Sequence, residues 1–180
     1  YDYLKPSSLK KTLMFHFFPL FYERMLKQEE LTIGIHLEVD KPNADYGFDT
    51  HTSTIDVSKI SKLNDHVFSE PTFDMFAEFT LHYSIKEVIP GEEDSLIVAL
   101  NVDGRTQPIK LLTQQNVPKG YNIIFLLYSD LFTGRVTDNR SELNFNDAEL
   151  SIIKKMFKNQ ITEIIRRELP EIEEKNKVIS

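Results

Sequence analysis

The sequence predicts an α+β fold: an antiparallel sheet of about five strands, covered on one face by an N-terminal helix and a long C-terminal helix. Three features carry that expectation. Apolar and polar residues alternate with period two through the middle of the chain, most clearly in FDMFAEFTLHYSIKEVI (73–89). An Asp103-Gly104 pair sits between two apolar runs, a strong hairpin signal because a type I′ turn needs positive φ at both central positions. The last long segment, from Asn146, carries apolar residues at spacings of three and four, the stripe of a helix docked on a sheet.

Taken in order, residues 1–10 read as a polar lead-in broken by Pro6, with Ser7 or Ser8 available as a cap. PLFYERMLKQE (19–29) reads as a helix, with Pro19 in its first turn, where a missing N–H costs little. Residues 11–18 fit either a helix, kinked if it runs through Pro19, or a short strand, since MFHFF suits both. LTIGIHLEV (31–39) alternates as a half-buried strand, with Leu31, Ile33, Ile35, Leu37 and Val39 on one face. The Asp, Asn, Pro and Gly content of 40–53 marks a loop, STIDVSKI carries a short strand, and 61–73 reads as irregular.

Residues 73–113 read as a three-stranded meander: 73–89, a turn at Pro90-Gly91, SLIVALNV (95–102), and RTQPIKLLT (105–113), which Pro108 makes an edge strand or splits. YNIIFLLYSDLF (121–132) fits a buried strand or a short helix, and 131–145 is mostly loop. The closing helix starts at an Asn146 cap with Glu149 as its reciprocal partner. Leu150, Ile153, Phe157, Ile161, Ile164 and Ile165 form its apolar stripe, and Pro170 ends it.

A chain of 180 residues suits a single domain over 1–180, with 1–10 and 170–180 expected as flexible ends. The net charge of −7 argues against duplex nucleic acid as a partner, because that binding needs basic residues to displace counterions. The absence of cysteine removes disulfides, thiolate nucleophiles and cysteine-based metal sites. No apolar run approaches the roughly 20 residues of a spanning helix, and LMFHFFPLFYERML (13–26) is interrupted by His16 and Pro19. A soluble protein without an integral membrane segment is expected, cytoplasmic in preference to secreted.

Two histidine motifs, His51-Thr52-Ser53-Thr54 and His82-Tyr83-Ser84-Ile85, share the pattern His-x-Ser. The pair resembles the motifs of the 2H phosphoesterase family. That resemblance implies a phosphodiesterase-like site in which His51 and His82 act as acid and base while Ser53 and Ser84 bind phosphate. The two motifs lie closer together than two family lobes would allow, and Thr54 stands where the family has an apolar residue. The plainer reading puts His82 on the polar face of a strand and His51 in a loop.

Asp45, Asp49, His51 and Asp56 cluster in DYGFDTHTSTID, but in no calcium-loop or zinc order. Turn chemistry accounts for them better, and neither a metal nor any other cofactor is expected. Lys154, Lys155, Lys158 and Arg166 give the last helix a basic side, which suits an acidic partner or simple solvation. Phe15, Phe17 and Phe18 would be a partner surface if exposed and core if buried.

With no nucleophile elbow and no glycine-rich phosphate cradle, a non-enzymatic protein–protein interaction module is the favoured expectation. Such a module is an adaptor, chaperone-like, assembly or inhibitor protein, and it binds another protein or a second copy of itself. Alternatives are the phosphodiesterase-like enzyme and a carrier of an apolar ligand in a pocket lined by Phe15, Phe17, Phe79 or Phe125.

Overall fold

A computed structural model describes residues 5–37, 52–71, 77–91, 93–111, 118–137 and 143–171. The fold is α+β, and the chain groups into two compact units, Tyr1–Lys62 with Gly104–Thr106, and Leu63–Asp103 with Gln107–Ser180.

The first unit opens with two helices, α1 (Pro6–His16) and α2 (Phe18–Leu26). Residues 11–16 are thus helical, which settles the ambiguity in MFHFF, and the break falls at Phe17 (φ −111°, ψ 15°). The cause is Pro19, whose ring would clash with the carbonyl four residues back if one helix ran through; instead it takes a first-turn position in α2. Pro6 plays the same part in α1, so that helix begins inside the polar lead-in, and neither serine caps it.

Strands β1 (Thr32–His36) and β2 (Thr52–Asp56) pair antiparallel as a two-stranded sheet, with Ile33 opposite Ile55 and Ile35 opposite Ser53. Ile35, Ile55, Val57 and Phe21 form the buried centre of this unit, and Leu13, Met14, Phe17, Met25 and Ile60 pack around it. The N-terminal helices therefore cover this small sheet.

The second unit is built on a five-stranded sheet of β3 (Asn64–Glu70), β4 (Ala77–Glu87), β5 (Ser95–Val102), β6 (Arg105–Pro108) and β7 (Tyr121–Tyr128). Residues Arg105 and Thr106 of β6 group with the first unit. The spatial order is β3-β4-β7-β5-β6. β3 and β7 both run antiparallel to β4, whereas β5 runs parallel to β7.

The sheet is mixed, which corrects the wholly antiparallel expectation, and 73–113 is not a meander, because β7 lies between β4 and β5. The reason lies in YNIIFLLY. β7 buries Ile123, Phe125 and Leu127 on one side and Leu126 on the other, and apolar residues on both faces suit a strand in the interior of a sheet with a parallel neighbour. Of the meander, the β5–β6 hairpin stands as expected: Asp103 has φ 52° and Gly104 φ 78°, the two positive values a type I′ turn requires.

Helix α3 (Asp147–Glu168) covers one face of this sheet. Its start is the expected capping box: Asn146 Oδ1 accepts from the Glu149 N–H at 2.8 Å, and Glu149 Oε2 accepts from the Asn146 N–H at 3.0 Å. Ile153, Met156, Phe157, Ile161 and Ile164 interlock with Phe79, Leu81, Val98, Leu100, Phe125 and Leu127 in one buried core. At the far end, the Arg167 guanidinium donates to the Tyr83 hydroxyl at 2.8 Å. Among the described residues, no helix is long and apolar enough to cross a membrane.

Candidate functional site

Strand β3 was hidden in a stretch whose Asn, Asp, Ser and Glu residues read as irregular. It forms because β4 offers a full-length partner: Asn64 stands opposite Tyr83, and pairing continues without a bulge to Glu70 opposite Ala77. Alternation places Asn64, His66, Phe68 and Glu70 on the helix-covered face, and Asp65, Val67 and Ser69 on the second. On the covered face, His66 stacks on Phe68 (centroids 5.7 Å, 18°) and Phe68 on Phe79 (5.5 Å, 17°). An aromatic ladder thus runs from the core out to the edge of the sheet.

β3 ends the strand order, and no described strand pairs with its outer side. Val67, at its centre, is 52% exposed. The two edges of the sheet differ. β6 is four residues long and closes on Pro108, which cannot donate a ladder bond. β3 is seven residues long, holds neither Lys nor Pro, and has no bulge to twist it away. Those are among the devices by which proteins blunt an edge; the charges that β3 does carry are Asp65 and Glu70.

On the second face of β4, His82 lies opposite Asp65 of β3 and Leu126 of β7. Its ring meets Tyr128 edge-on at 4.7 Å. Burial pushes the imidazole below its ordinary pKa, and the Asp65 carboxylate partly offsets this. Ser84, two residues along, is buried. Ser53 sits on β2 of the first unit, half-buried, and His51 lies outside the described residues. Within the second unit the geometry therefore brings together His82, Ser84, Asp65 and Tyr128, a set in which Asp65 and Tyr128 had no signal in sequence because they come from neighbouring strands.

Of the acidic cluster, Asp56 is described, and its role is local. It accepts from the Ser58 N–H (3.1 Å) and hydroxyl (2.6 Å) and lies 3.5 Å from Lys59. The Ser58 bonds hold its carboxyl below the ordinary range. Asp45 and Asp49 lie outside the described residues. Among those described, no group of three or more metal-ligating side chains comes together.

The aromatic lead is neither free surface nor deep core. Phe15, Phe17 and Phe18 are each half-buried: Phe17 packs near Phe21 (6.3 Å) beneath the Arg105 guanidinium (5.4 Å), and Phe18 stacks on Tyr22 (5.9 Å, 10°). Phe18 also lines an open pocket of about 420 Å³ in the first unit, with Met14, Ile55 and Ile60 as its other apolar walls and Lys10 and Asp56 among its polar ones. Phe79 and Phe125 are fully buried in the packed core of the second unit. On α3, Lys154, Lys155, Lys158 and Arg166 are all exposed.

A scan against protein-family models and searches of curated proteins and of solved structures found no match to this chain.

Proposed function

We propose that the chain is a non-enzymatic protein–protein interaction module, of the adaptor, chaperone-like, assembly or inhibitor kind, that binds its partner along β3. One observation supports this reading above the rest: a seven-residue, bulge-free edge strand with a half-exposed valine at its centre and no described neighbour on its outer side. Such an edge presents a row of backbone donors and acceptors that an added strand satisfies, while alternate side chains supply specificity. Comparison of the wild type with Val67→Lys as bait in an extract of the source cells tests it. A protein retained by the wild type and lost with the variant is the expected result. The same retained set from both baits overturns the reading.

The phosphodiesterase-like alternative draws support from one feature of His82. Burial favours the neutral form of His82, the form a general base needs. Hydrolysis of a chromogenic phosphodiester by the wild type, lost in His82→Ala, is its expected signature. Equal turnover by both proteins, or none by the wild type, ends it.

A further inference from the structure

We infer that the partner strand for β3 is β3 of a second copy, paired antiparallel about a two-fold axis at Val67. This rests on the reading of β3 as a binding edge and goes further, because it names the occupant and the register. The argument is self-complementarity. Centred on Val67, the segment NDHVFSE pairs with itself over its whole length: Asn64 opposite Glu70, Asp65 opposite Ser69, His66 opposite Phe68, and Val67 opposite Val67. Each carboxylate then faces a neutral hydrogen-bond donor, and no two like charges stand opposite each other, the arrangement that destabilises a strand pair.

Aromatic packing points to the same register. The stack of His66, Phe68 and Phe79 already reaches the edge, and His66 opposite Phe68 of the second copy continues it across the junction on the helix-covered face. Val67 meets its own copy on the second face, removing from water the most exposed apolar side chain of the strand. Neighbouring registers do worse. Centring on His66 sets two imidazoles face to face and puts Asp65 against Val67. Offsets by an odd number of residues bring helix-covered positions alongside second-face positions, since side chains alternate with period two.

The absence of cysteine in the natural chain makes the test direct. Opposed residues in an antiparallel pair have Cα atoms about 5 Å apart, whereas two copies of Ser69 would stand about 14 Å apart along the strands. Val67→Cys, Ser69→Cys and Asp65→Cys, each checked for an unchanged urea midpoint, are treated with a short bis-maleimide. Light scattering follows the mass across a concentration series. The expected result is a rise from 21.0 kDa toward twice that mass, a cross-linked dimer from Val67→Cys, none from Ser69→Cys alone, and one from the Asp65→Cys and Ser69→Cys mixture. Val67→Lys, which opposes two ammonium groups, weakens self-association about tenfold or more.

A monomeric mass throughout, or cross-linking of Ser69→Cys as efficient as that of Val67→Cys, overturns the inference. If the chain stays monomeric while Val67→Lys still loses a captured protein, self-pairing fails and the edge remains a binding site. If Val67→Lys changes neither mass nor capture, both readings fail.

Discussion

Val67 and Phe68 are neighbours on one strand, yet the register assigns them opposite fates. Phe68 is half-buried against Phe79. Deleting a fully buried phenylalanine side chain costs about 3–5 kcal/mol. Half of that, with about 0.5–1.5 kcal/mol for the lost stack, puts Phe68→Ala at roughly 2–4 kcal/mol. Val67 is 52% exposed on the other face, so Val67→Lys stays within about 0.5 kcal/mol of the wild type. Urea unfolding of the dilute chain, followed by far-UV circular dichroism because there is no Trp, reads the difference. Phe68→Ala lowers the midpoint by roughly 1–2 M at a slope typical of a small unit, and Val67→Lys leaves it in place. If Val67→Lys costs as much as Phe68→Ala, the strand is slipped by one residue and every face assignment on β3 is reversed.

The other predictions concern the frame that holds the edge and the histidine beside it. Asn146→Ala removes the acceptor for the Glu149 N–H and lowers stability by about 1 kcal/mol in thermal unfolding, while Asn146→Asp restores most of it. Gly104→Ala forces a side chain onto φ +78°, with its Cβ 3.4 Å from Leu20 Cβ; a loss of about 1 kcal/mol or more is expected in urea, and an unchanged midpoint contradicts the turn assignment. His82 has a folded-state pKa below the ordinary 6.5, so the unfolded chain binds a proton first as pH falls. Stability is full above about 6.5 and declines below it. Urea midpoints about one pH unit either side of that value should show a smaller drop for His82→Gln than for the wild type.

What could be read from the sequence follows from which forces act locally. The α3 capping box and its apolar stripe are contained within one stretch of chain, and both stand as expected. The Asp103-Gly104 turn is written in backbone conformations that few other residue pairs tolerate, and it too stands. The parallel neighbour of β5 was not legible, because the pattern within β5 shows that it is a strand and not which distant strand lies beside it. β3 was lost for a related reason. Asn64, Asp65 and Glu70 have weak strand preference, and the pairing with β4 and the stack on Phe79 that hold the strand come from residues distant in sequence. An edge strand tolerates this polarity because one side meets water. The candidate site was therefore the part of the sheet least visible beforehand, while the histidine and phenylalanine motifs that drew attention in the sequence are shared between the two units.

Backbone hydrogen exchange along Asn64–Glu70 tests the central claim most directly. In a dilute chain with an open edge, every other amide of β3 points to solvent and exchanges fast, while those bonded to β4 exchange slowly. The account predicts that pattern in Asn64–Glu70 at low concentration, with the fast set becoming protected as concentration rises or a bound partner is added, and with no such change in Val67→Lys. Uniform protection of β3 in the dilute chain, or a fast set that stays fast under every condition, contradicts it.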